Sequence, residues 1–172
     1  MSIDKEAFPF VAVVGLAALL GLYLGWTRTA IALVILALAI AAFFRDPQRT
    51  IPSDPHAIVS PADGKVVEII TDEAFSLAPG QKFTRISIFL SVFNVHINRA
   101  PIAGTLSAYA YHPGKFMMAF SPKASLDNEQ SHLLITDANG TKIGVKQIAG
   151  WIARRIVTRA KVGDTLTKGQ RF

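Results

Sequence analysis
The chain has 172 residues, 18 Lys and Arg against 12 Asp and Glu, and no cysteine. That length suits one core-bearing domain with an appendage. The missing cysteines exclude disulfides, thiolate metal sites and a cysteine nucleophile.

The apolar share, 51%, is high for a soluble domain, and the excess lies at the front. No charge occurs from Ala7 to Trp26 or from Ala30 to Phe44, and Thr27-Arg28-Thr29 separates the two runs. One helix over both would be about 57 Å long against a hydrocarbon core of about 30 Å, with Arg28 near its middle. Two short helices turning near residues 25–29 remove both problems and put Trp26 at an interface. The second run is short enough that a re-entrant hairpin stays open beside a spanning one. Lys5, Arg45 and Arg49 on one side favour both ends inside, so a cell-membrane location with the following domain on the cytoplasmic face is expected. A cleaved signal peptide fits less well, because the apolar run is too long and no small-x-small site precedes Arg45.

Residues 1–44 are therefore read as a membrane anchor, 45–59 as a Pro-rich juxtamembrane linker, and 60–172 as a β-rich domain. The linker prolines, Pro47, Pro52 and Pro55, deny a helix. Beyond it, strands are expected at Lys65–Ile70, Arg85–Leu90, Gly104–Tyr111, Ser131–Thr136, Lys142–Ile148 and Ala153–Val157. Turns are expected at Ala62-Asp63-Gly64, Ala78-Pro79-Gly80, Asp137-Ala138-Asn139-Gly140 and Val162-Gly163-Asp164. Short strands at this spacing predict a mainly β, antiparallel sandwich or partly closed barrel. Ser60–Val67 and Val162–Gln170 look like paired halves of a barrel-sandwich hybrid, the fold of biotinyl and lipoyl carriers, which names no function by itself.

Sixteen of the basic residues and ten of the acidic ones follow Phe44, densest at Arg154, Arg155, Arg159 and Lys161. Beside an anchor this points to anionic lipid, with a solvated strand face as the alternative. No nucleic-acid motif is present, and nucleic acid is not an expected partner. Among groups able to do chemistry, His96 and Arg99 lie three apart in the block Phe89–Pro101. They could pair an acid–base group with an anion clamp, or His96 could be purely structural. Asp63 precedes a glycine in a turn, where Asp is common without catalytic duty. His56 belongs to the linker, His112 to a turn, and His132 to a strand. No metal-ligand spacing is found.

Several ordered motifs carry a resemblance. They are Phe44-Arg45-Asp46-Pro47, Ser60-Pro61-Ala62-Asp63-Gly64-Lys65-Val66 and the block from Phe89 to Pro101. Supporting pieces are Gly114-Lys115-Phe116, Lys123–Glu129, Gln147–Gly150 and Ala153–Ile156. Together they resemble phosphatidylserine decarboxylase proenzymes of the short, membrane-anchored type, through essentially the whole chain. The resemblance implies a chain that cuts itself before a serine in a Gly-Ser step. The serine becomes a pyruvoyl cofactor on an α chain, leaving a β chain. Its ketone is the electron sink as phosphatidylserine loses CO2 to give phosphatidylethanolamine.

Carried over by position, Asp63 matches the aspartate assigned to self-cleavage, and His96 the first histidine of its block, a candidate for substrate contact or proton transfer. Arg99 stands where the longer form has a second histidine. Since arginine stays charged, it is a candidate for lipid phosphate or carboxylate, as are the motif residues Lys115, Asn128 and Glu129 for substrate binding. No Gly-Ser dipeptide occurs in the 172 residues. The expectation is thus a β-chain portion whose pyruvoyl-forming serine lies beyond Phe172, with the α chain and anionic lipid as partners, and the family suggests a homodimer. The alternatives are a non-catalytic membrane-tethered adaptor or carrier, and a degenerate relative that binds anionic lipid without chemistry.

Overall fold
Two antiparallel apolar helices open the chain in the computed structural model, which describes residues 2–118 and 124–172. Helix α1 covers Phe8–Tyr23 and α2 covers Thr27–Phe43, with Gly25 at φ +76° in the turn between them. With its preceding 3-10 turn, the stretch Lys5–Tyr23 is long and apolar enough to cross a membrane; Thr27–Phe43 is shorter. The two helices meet through small residues. Ala18, Gly21 and Ala30 are buried, and a Cβ on Gly21 would lie 3.5 Å from that of Ala30. Large side chains such as Val13, Leu16, Ile35 and Leu38 point outward and are exposed. Small residues inside and large apolar ones outside is the packing expected where the surroundings are lipid.

The ends of the hairpin are clipped together. Strand β1 (Ser2–Ile3) pairs antiparallel with β2 (Arg45–Asp46), and the Asp4 amide donates to the Phe44 carbonyl at 2.9 Å. The segment Leu90–Ile97 belongs to the same compact unit as residues 1–50. The second unit comprises Ile51–Phe89 and Asn98–Phe172.

The second unit is antiparallel β, as the strand spacing predicts. Strands β3 (Lys65–Ala74) and β4 (Lys82–Phe89) form a bulged hairpin. The others, β5 (Gly104–His112), β6 (Gln130–Thr136), β7 (Lys142–Ile148) and β8 (Thr165–Leu166), form a curled four-stranded sheet in the order β7-β6-β5-β8. Every residue of β6 from Gln130 to Ile135 is buried, so this central strand shows no alternation because both of its faces are covered. The core is Ala100, Ile102, Leu106, Leu133, Ile135, Val145, Leu166 and Phe172. Helix α3 (Ala124–Asp127) is a single turn. The expected turns at Gly64, Gly80, Gly140 and Gly163 all have positive φ.

The strand expected at Ala153–Val157 is not formed. Its backbone groups bond locally: Gly150 N–H to the Ala153 carbonyl at 2.9 Å, Arg154 N–H to that of Ile152 at 3.0 Å. The Ile156 amide donates to the Glu129 carboxylate at 3.2 Å. A β-branched run makes a strand only when a neighbour offers a free edge, and here turns and a side chain satisfy it instead.

Candidate functional site
His96 is built into the hairpin's unit. Its ring stacks on Phe43, the last residue of α2, with centroids 4.2 Å apart. Its Nδ1 lies 3.0 Å from the Asn94 carbonyl. A carbonyl only accepts, so Nδ1 carries the proton and Nε2 is the bare nitrogen. Burial pushes the His96 pKa below the ordinary histidine value, the nearby Arg45 charge adds to this, and the bond to Asn94 opposes it. The net result is a neutral imidazole at pH 7 with a lone pair on Nε2.

The turn before it is made by polar atoms. Asn94 Oδ1 accepts from the Ser91 amide and hydroxyl, both at 2.8 Å, while Asn94 N–H donates to the Ser91 carbonyl at 3.0 Å. Arg45 donates through Nη1 to the Ala42 carbonyl at 2.8 Å and through Nη2 to the Phe93 carbonyl. One guanidinium thus ties the end of α2 to the turn that leads into His96.

The other candidates lie in the β unit, where Arg99-Ala100-Pro101 is held between two extended stretches. On one side Arg99 N–H donates to the Pro61 carbonyl at 2.9 Å and Val59 N–H to that of Pro101 at 3.0 Å. On the other, Ala100 exchanges bonds with Gln170 at 2.7 Å and Gly169 at 2.8 Å, and Arg99 bridges to Arg171. These flanks belong to the two sequence pieces read as paired halves, and both meet on the Arg99 stretch. Asp63 sits half-buried in the first. Its turn needs Gly64, whose φ is +139° and whose Cβ would strike the Phe89 carbonyl oxygen and come within 2.9 Å of Ile88 Cγ2. Backbone contact therefore fixes where Asp63 leaves the turn.

Arg99 also donates from Nη1 to the Gly169 carbonyl at 3.1 Å and lines an open cleft of about 440 Å³ with Thr167, Lys168, Gly169, Gln170 and Arg171. Three cations around one turn form a surface for anions. Lys168 and Arg171 were not among the sequence candidates. The turn was legible at Lys168-Gly169, but not the pairing that brings it to Arg99.

Lys115, Asn128 and Glu129 gather elsewhere in this unit. Lys115 pairs with Asp127 at 3.1 Å on the exposed surface. Asn128 is 2% exposed. Its Oδ1 accepts from Met117 N–H at 2.8 Å, and its Nδ2 donates to the carbonyls of Met117 at 2.9 Å and Ala149 at 2.8 Å. Glu129 is buried and receives the Ile156 amide. Lys123, part of the same motif, lies outside the described residues.

His132 is buried and neutral. Its Nδ1 is 2.8 Å from Ser76 Oγ and its Nε2 3.1 Å from Gln130 Oε1. Gln130 gives its NH2 to the Ser125 carbonyl at 2.9 Å, which leaves Oε1 to accept from His132 Nε2–H. Burial first, then the charges of Lys146 and His112, lower its pKa to about 4. Among the described residues no cluster of His, Asp and Glu could hold a metal ion.

A family model described as phosphatidylserine decarboxylase matches residues 36–172. The phosphatidylserine decarboxylase proenzyme of Erythrobacter litoralis is 48% identical over 99% of this chain and 73% of its own. That of Nitratidesulfovibrio vulgaris is 45% identical over 100% and 78%, and that of Geotalea uraniireducens 43% identical over 99% and 79%. All three carry the name of a decarboxylase proenzyme, which does not favour the adaptor and carrier alternatives.

Proposed function
The chain belongs to the phosphatidylserine decarboxylase family, and we propose that it forms the larger part of a pyruvoyl-dependent enzyme converting phosphatidylserine to phosphatidylethanolamine and CO2. The observation that carries the reading is His96: a neutral imidazole with its tautomer set by Asn94, in a chain that matches decarboxylase proenzymes from end to end.

A serine headgroup bound as its ammonium has no free lone pair until it gives up a proton. His96 Nε2 is the acceptor, and the same nitrogen holds the proton for return to the substrate carbon after CO2 leaves. Phe43 and Asn94 keep the ring oriented through both transfers. Arg99, with Lys168 and Arg171, offers charge for the lipid phosphate or carboxylate. The pyruvoyl group would supply the electron sink that none of these side chains can provide. A neutral proton-transfer group is what such a group needs near it, and His96 fits that need. The serine that forms it belongs to the part of a family chain that this one does not cover, and Asp63, on its backbone-fixed turn, assists the cleavage.

Asn128 and Glu129 act by holding the loop that follows β5 and the segment after Ala149, rather than by touching lipid. The hairpin anchors the protein in the cell membrane with the β unit on the cytoplasmic side, beside anionic lipid, and the cleaved α chain and a second copy complete the assembly. The test is CO2 release from phosphatidylserine vesicles by this chain extended with the uncovered segment of the Erythrobacter litoralis relative. Turnover with a pyruvoyl-blocked small chain in the intact mass is expected. A cut, blocked protein that releases no CO2 would overturn the reading.

A further inference from the structure
A reverse turn is normally tipped with Gly, Pro, Asn, Asp or Ser, since its central residues face water. In the turn Ser91–Asn94 the polar residues are the flanks, closed by the Ser91–Asn94 bonds, and the tip is Val92-Phe93. Val92 is 43% exposed and Phe93 82%. Such a tip is unfavourable in water, and the Ser–Asn closure would work equally well with polar residues there. Its place in the molecule supplies a reason. The turn is in one compact unit with the apolar hairpin, tied by Arg45 to the last turn of α2 and followed at once by the ring that stacks on Phe43. It therefore sits at the hairpin's base, where both helix ends and the charges of Lys5 and Arg45 gather and where the apolar helices enter lipid. Apolar surface at that level belongs in the boundary between headgroups and acyl chains.

We propose that Val92-Phe93 is a second membrane contact, inserting into the lipid interface beside the hairpin and holding the His96 segment at the depth of the phospholipid headgroups. The partner is the bilayer itself, and the proposal rests on the reading of residues 1–44 as a membrane anchor. A second point of insertion beside the hairpin limits the tilt that a hairpin alone allows its base. His96, three residues past the tip, then meets the headgroup without the lipid leaving the membrane.

The absence of cysteine allows the test on the whole chain. Single variants Phe93→Cys, Val92→Cys, Leu16→Cys and Asn139→Cys are labelled with an environment-sensitive fluorophore and reconstituted into phosphatidylcholine–phosphatidylserine vesicles. Leu16 reports the hairpin, and Asn139, at the exposed tip between β6 and β7, reports water. The expected result is blue-shifted emission at 92, 93 and 16, with 92 and 93 losing most of it to a lipid carrying a shallow nitroxide and 139 unaffected. Blue-shifted emission at 16 with water-like emission at both 92 and 93 overturns the second contact and leaves the anchor standing. Water-like emission at 16 as well overturns both.

Discussion

Replacing Asn128 by alanine separates a structural clamp from a lipid ligand. The side chain makes three bonds, all to backbone, at 2.8, 2.9 and 2.8 Å. One partner, the Ala149 carbonyl, is fully buried with the donor, and stranding it costs about 1–3 kcal/mol. The two bonds to Met117 are partly buried and contribute about 0.5–1.5 kcal/mol each. The sum is roughly 4 kcal/mol, which for a chain of this size lowers Tm by about 8–16 °C. Trp151, two residues from Ala149, gives the signal once Trp26→Phe has silenced the other indole, and the full chain is melted in detergent. Lys115→Ala is the internal comparison, because its exposed pair with Asp127 is worth about 1 kcal/mol at most. A shift below about 2 °C for Asn128→Ala, together with lost binding to phosphatidylserine vesicles, would refute the clamp and restore Asn128 as a substrate contact.

His132 should make stability fall with acid. Its folded pKa of about 4 lies below the unfolded value near 6.5, so the unfolded chain takes the proton first. The contribution is complete above pH 6.5 and is lost as pH falls towards 4, about 3 kcal/mol in all. The slope is read from urea midpoints across that range; His96, whose pKa is also lowered, adds to it with the same sign, so a slope in His132→Asn as steep as in the parent chain would contradict the assignment. Gly64→Ala should destabilise by more than about 2 kcal/mol, since strain and a backbone collision act together. Gly80→Ala, at φ +79° with open space around it, should cost about 1 kcal/mol. Equal midpoints for the two would show that the Phe89 carbonyl does not hold the Asp63 turn.

What could be read from the sequence follows from what is local. Strand β7 has the expected bounds, because Lys142–Ile148 lies between a turn at Asn139-Gly140 and the Gly150 break. The helical hairpin was visible as two uncharged runs around Arg28, and Asp63-Gly64 as a turn feeding a strand. Ala153–Val157 misled because β-branched composition says nothing about whether a partner edge exists. The grouping of Leu90–Ile97 with the hairpin depends on Arg45 and Phe43, which lie roughly fifty residues upstream, and no periodicity reports a contact of that range. The cationic cleft failed for the same reason: Arg99 and Arg171 are brought together by pairing across Ala100. His96 was named from its motif. That its proton sits on Nδ1 and its lone pair on Nε2 needed the Asn94 carbonyl to be in place.

The most direct measurement is single-turnover CO2 release from phosphatidylserine by the completed, cleaved protein, with His96 intact and with His96→Ala. If Nε2 handles the substrate proton, the variant still cleaves itself and binds phosphatidylserine vesicles, but its CO2 release falls by about 10²–10⁴-fold. Equal rates from the two cleaved proteins would contradict the role assigned to His96.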